Sequence, residues 1–154
     1  MDKTPTIPGI GQGKRGEDGY LGYLLRQANT AWRNRAEHIL TGLDMTLPQF
    51  MGLMMLDAYP GASSADLARL ALLTPQTLSV IVANLERAGW IARRPHAVHG
   101  RIRQIDLTAA GQRALTRARA AMTAEEQILA QGLSAAEERV VRRWLVRVAM
   151  IETE

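Results

Sequence analysis

The hydrophobic period of this chain changes once and then changes back, and few folds accommodate that. Up to Gly89 the apolar residues recur every three or four positions, the spacing of helices that bury one face. Across Trp90–Arg94 and Arg101–Leu107 the reading shifts to short strands, the second alternating polar with apolar. From Thr108 onward helical spacing returns. The pattern predicts a mainly α fold with one two-stranded β hairpin inserted among helices.

Local signals bound each element. Leu21, Leu24, Leu25, Ala28, Ala31, Trp32, Ala36 and Ile39 form one stripe of a long first helix that Gly42 ends. Thr46 and Gln49 make a capping box with Pro48 in the first turn of a second helix, which stops near Tyr59-Pro60-Gly61. Ser63 with Asp66 starts a short third helix through Ala71. Thr74 caps a fourth, with Pro75 at its first position and Leu78, Ile81, Val82 and Leu85 on its apolar face. Pro95 to Gly100 connects the strands. Thr108 caps a helical region over Ala110–Gly132, and Ser134 with Glu137 caps a last helix through Ile151. The predicted division is a flexible N-terminal arm (1–19), a dimerisation helix (20–44), a winged helix-turn-helix DNA-binding lobe (45–108) and C-terminal dimerisation helices (109–154).

Composition narrows the function. At 154 residues, 47% hydrophobic and 5% aromatic, the chain suits one helical domain with a sizeable core. No run of 18 apolar residues is present, and the polar, Gly- and Pro-containing first 19 residues lack the apolar segment of a signal peptide. A cytoplasmic, nucleoid-associated protein with no membrane partner is expected. The absence of cysteine excludes disulfides, thiol sensing and thiolate zinc sites. His96 and His99 stand three apart without a nearby carboxylate, so they read as surface histidines; no metal and no cofactor is expected. Gly9-Ile10-Gly11-Gln12-Gly13 follows no strand and opens no helix, so it is no phosphate loop, and nothing else supports an enzyme.

Charge is the positive signal. Residues 87–119 carry eight arginines against Asp106 alone, a net +7 in a chain whose formal total is +4. A concentrated positive field of this kind favours polyanions over a merely solvated face.

The segments Leu47-Pro48-Gln49-Phe50, Ser63–Ala68, Thr74–Ser79, Leu85–Arg93, Arg101 and Leu107–Gly111, in this order and spacing, resemble the multiple antibiotic resistance regulator (MarR) family. The resemblance spans roughly residues 20–150. It implies a transcription regulator, in most cases a repressor, that binds a palindromic operator in double-stranded DNA as a homodimer. The first and last helices would interlock between two subunits. It also implies release by a small aromatic or phenolic effector.

Residues follow from these readings. Gln76, Thr77, Ser79, Val80 and Asn84 lie opposite the apolar face of the fourth helix, where a major groove would meet them. Glutamine suits an adenine edge, and Val80 suits a thymine methyl. In the family Val80 and Asn84 stand where basic residues are frequent. Ser63, Ser64, Thr74 and Pro75 mark helix starts whose N–H groups can meet phosphate; Arg87, Arg94, Arg101 and Arg103 supply cations around the hairpin. Arg101 matches the family's wing arginine. His99 and Gly100 replace the acid and first arginine of the family's wing, so that brace is missing. Trp32, Met51, Met54 and Met55 suit either an adaptable effector pocket or ordinary core. Leu21, Leu24, Leu25, Leu145, Val148 and Ile151 suit a dimer seam, the alternative being a monomeric bundle. The competing function is a winged-helix protein-interaction module that does not read DNA, which the weakly basic fourth helix favours.

Overall fold

A computed structural model describes residues 7–95 and 103–151. Six helices and one hairpin follow in the predicted order: α1 (Leu21–Thr41), α2 (Leu47–Ala58), α3 (Ser64–Leu70), α4 (Pro75–Arg87), β1 (Ile91–Pro95), β2 (Arg103–Leu107), α5 (Ala109–Ala130) and α6 (Ala135–Ala149).

The helix starts are where the side chains placed them. The Thr46 hydroxyl accepts from the Gln49 N–H while the Gln49 side chain accepts from the Thr46 N–H, and Ser134 with Glu137 repeats this box. Ser63, Thr74 and Thr108 each accept from the N–H three residues on. Such a cap stabilises a helix by about 1 kcal/mol. At the end of α4, Gly89 adopts φ +71°, and Trp90 N–H reaches back to Leu85 O at 2.9 Å. That reversal favours glycine, which escapes the Cβ penalty. The end of α1 differs from expectation. Gly42 stays right-handed, and Asp44 takes the left-handed conformation at φ +55°. The Met45 N–H bonds back to Leu40 O, so the reversal falls two residues later than the glycine suggested.

One core runs through both halves. Ala36 and Leu40 of α1 meet Phe50, Leu53 and Leu56 of α2, Leu67 of α3, Leu78 and Leu85 of α4, Ile91 and Ile105 of the hairpin, and Leu115, Ala118 and Met122 of α5. The strands are antiparallel, with Ile91 opposite Leu107 and Arg93 opposite Ile105. Trp90, expected in the first strand, precedes it. The hairpin is fastened to the segment ahead of α3 by a bridge between Ser63 and Gln104 and by the Ile105 N–H donating to Ala62 O at 3.2 Å.

The N-terminal segment departs from the expected arm. Gly13–Arg15 form a 3-10 turn, the Arg15 guanidinium donates to Pro8 O at 2.8 Å, and the Gln27 amide of α1 donates to Arg15 O at 3.1 Å. The turn is thus tied to the first helix from about residue 8 onward. Glycine and proline lowered its helical signal without preventing local order.

Candidate nucleic-acid interface

Helices α3 and α4 meet at 109° across the short turn Ala71–Thr74, the crossing expected of two helices in a helix-turn-helix. Leu72 turns the chain with φ +56°. Leu78, Ile81, Val82 and Leu85 anchor α4 in the core, which leaves Gln76, Thr77, Ser79, Val80 and Ala83 in solvent. Val80 is 63% exposed, a large apolar residue projecting from an otherwise polar face.

Several predicted contacts already have intramolecular partners. The Ser63 hydroxyl donates to Asp66 Oδ2 at 2.6 Å and accepts from the Asp66 N–H, which occupies it as a cap. Asp66 also holds Arg69 at 2.5 Å. The Thr74 hydroxyl donates to Thr77 Oγ1, and the Ser79 hydroxyl donates to Pro75 O at 3.0 Å, so Ser79 faces outward as an acceptor. Asn84 is half-buried and accepts from Arg87 at 3.1 Å. Ser64, Pro75 and Gln76 are exposed.

The hairpin sits directly after α4 and is braced by ion pairs of its own. Arg94 of β1 forks onto Asp106 of β2 through Nε and through Nη2, the latter at 3.2 Å. Arg93 reaches back to Glu86 near the end of α4 at 3.0 Å. Arg119 of α5 pairs with Asp57 of α2 at 2.6 Å. Three of the eight arginines of residues 87–119 are therefore paired in place. Asp106 is already counted in the +7, but Glu86 and Asp57 lie outside the segment, so the linear charge count overstates the local field by those two carboxylates. Arg103 stands opposite Pro95 in the register. Arg101, His96, His99 and Gly100 lie outside the described residues.

The remaining candidates separate by location. Leu21, Leu145 and Ile151 are 67%, 44% and 71% exposed, and Leu24, Leu25 and Val148 are half-buried. Helix α6 buries no residue at all, and Val140, Val141, Trp144, Val146, Met150 and Ile151, with Arg142, Arg143 and Arg147, line an open, mainly apolar trough along it. Trp32, Met51, Met54 and Met55 are partly buried and pack against the core. The Trp32 indole N–H is buried and has no partner among the described residues. A separate groove of about 580 Å³ opens between the end of α1 (Glu37, Thr41), the start of α2 (Thr46, Pro48) and α4 (Thr77, Val80).

Two features escaped the sequence reading. Glu125 is 2% exposed and accepts from Arg35 Nε at 2.5 Å, joining α5 to α1. Its signal was present: Ala118, Met122 and Glu125 fall on one stripe, so a carboxylate occupies a buried helical position. Gly111 is the second. A Cβ there would lie 1.9 Å from Trp90 O, because the Thr108 N–H bonds that same carbonyl and draws α5 onto the base of the hairpin.

A helix-turn-helix followed by a braced hairpin, framed by long first and last helices, defines a winged helix-turn-helix protein. Residues 43–102 match the family model described as MarR family. The chain is 37% identical over 132 residues to the HTH-type transcriptional repressor Rv2887 of Mycobacterium tuberculosis, covering 86% of this chain and 95% of that one. It therefore belongs to the MarR family. A crystal structure of Rv2887 in complex with DNA superposes with a TM-score of 0.69 at 37% identity, covering 85% of this chain and 98% of that one. The complex of Rv2887 with salicylic acid gives 0.68 at 37% identity over 86% and 98%.

Proposed function

We propose that this protein is a transcriptional repressor that binds a palindromic operator as a homodimer and is released by a small aromatic acid of the salicylate type. The observation that carries the reading is the exposed face of α4, anchored by four buried residues and set beside an arginine-bearing hairpin. In this reading Gln76, Thr77, Ser79 and Val80 meet base edges. Ser64, Pro75 and Arg87 meet phosphate, with Asn84 orienting Arg87. Ser63 and Thr74 act there mainly by setting helix starts, whose N–H groups face the backbone. Arg101 and Arg103 belong to the wing, and Arg94 meets phosphate as a cation whose Nε and Nη2 are already shared with Asp106. The crystal structure of the relative Rv2887 in complex with DNA supports the DNA-binding reading.

The dimer reading rests on α6. Its apolar face is unmatched within one chain, and a second copy offers an equal face about a twofold axis. Residues 20–44 and 109–154 then form the dimer region, residues 45–108 form the DNA-binding lobe, and residues 1–19 form an arm folded in part onto α1. The effector docks where α1 meets the lobe. The Trp32, Met51, Met54 and Met55 wall and the groove beside Thr77 and Val80 are the two surfaces available there. The protein is a cytoplasmic, nucleoid-associated regulator without catalytic activity. Selecting bound duplexes from a random pool tests the central claim. A palindrome with two equal half-sites is expected; failure to retain any duplex at low salt overturns the assignment. Salicylate should then release the selected duplex and quench tryptophan emission.

A further inference from the structure

Asp106 is the only acid among the eight arginines of residues 87–119, and it is not spread over that surface. Strand parity places Ala92, Arg94, Gln104 and Asp106 on the hairpin face opposite Ile91 and Ile105, which are buried. Ala92 sits directly across from Asp106 and has almost no side chain. The Arg94 guanidinium folds diagonally over that gap and donates to both carboxylate oxygens. The Arg94 side chain remains 64% exposed and that of Asp106 28% exposed.

Exposed ion pairs are weak in water and weaken further with salt. A DNA phosphate presents the same two-oxygen acceptor that a carboxylate does, and guanidinium binds either as a fork. We propose that Asp106 is a specificity-determining residue: it competes with DNA phosphate for Arg94 and so withholds one cationic contact from the wing. This rests on the DNA-binding reading above. On duplexes of arbitrary sequence, binding is almost wholly ionic, and every exchange of carboxylate for phosphate is close to neutral. On an operator the base contacts of α4 hold the wing in register, and the exchange proceeds at high effective concentration. The carboxylate therefore suppresses non-specific binding more than specific binding.

The test is Asp106→Asn, with Arg94→Gln and the double variant as controls, titrated with random-sequence and selected duplexes over a range of salt. Thermal melting of each variant establishes that it is folded. The D106N protein should bind random duplex roughly three- to tenfold more tightly at low salt. Its dependence of log K on log salt should steepen by about 0.9, the value of one further neutralised phosphate on B-DNA. Its ratio of operator to random affinity should fall. R94Q alone leaves the Asp106 carboxylate uncompensated and should weaken random-duplex binding, and R94Q/D106N, which restores a neutral pair, should lose the D106N gain and bind close to wild type. An unchanged slope in folded D106N, a gain that survives in R94Q/D106N, or weaker binding of D106N to both duplexes would overturn the inference while leaving the DNA-binding reading intact. A wild-type protein that binds neither duplex would overturn both.

Discussion

The Arg35–Glu125 pair offers a sharp asymmetry. Glu125 is buried at 2% exposure, whereas the Arg35 side chain is 45% exposed. Arg35→Ala strips the partner from a carboxylate that cannot turn to water. Removing one member of a buried pair costs about 3–5 kcal/mol. Because the arginine is half in solvent, part of that interaction is screened, and the expected loss is about 2 kcal/mol. Glu125→Leu removes the buried charge and keeps the volume, while Arg35 relaxes into water. Its expected cost is below about 1 kcal/mol, and Arg35→Met with Glu125→Leu should come close to wild type. For a chain of this size, the Arg35→Ala loss is a fall in melting temperature of roughly 4–8 °C. The assay is thermal unfolding by circular dichroism, with all variants at one protomer concentration, since self-association adds to apparent stability. Equal losses for Arg35→Ala and Glu125→Leu, or a larger loss for the latter, would show that the carboxylate stabilises in its own right and refute the argument from burial.

Other outcomes follow from single contacts. Gly111→Ala sets a Cβ against Trp90 O and should destabilise by about 1–3 kcal/mol or more, read as a lower urea midpoint at unchanged slope. Leu145→Glu places a charge on the exposed apolar face of α6, so sedimentation should show the 17.0 kDa chain alone where the wild type sediments at twice that mass. The Arg119 hydrogen bond, with help from Gln112, holds the Asp57 carboxyl below its ordinary value of 3.8. A folded-state value below the unfolded one gives stability that is full above the ordinary carboxylate range and is lost as pH falls through the lowered value. Asp57→Asn should therefore flatten the acid limb of stability against pH below about 4; an acid limb identical to wild type would remove the α2–α5 pair from the account.

Helix starts were legible because each is a local event. Thr46, Ser63, Thr74, Thr108 and Ser134 bond to N–H groups three residues away, and the sequence shows both partners side by side. The change of period was equally local, so the hairpin and the apolar face of α4 could be read directly. The strand limits were less so. Trp90 is drawn into the glycine turn by its bond to Leu85 O, and its carbonyl is claimed by Thr108 from the far side of the hairpin.

By itself, the sequence settled the order of elements, their caps and the family, because these depend on neighbours within a turn of helix or a strand pair. Only the tertiary structure decided which charges are free. Arg93, Arg94 and Arg119 look alike in the chain, yet each meets a carboxylate, and two of the three, Glu86 and Asp57, lie outside the cationic segment. Burial likewise put Glu125 against Arg35 across 90 residues, and close approach made Gly111 necessary. Coulombic and steric contacts of this kind act through space, and the fold sets those distances.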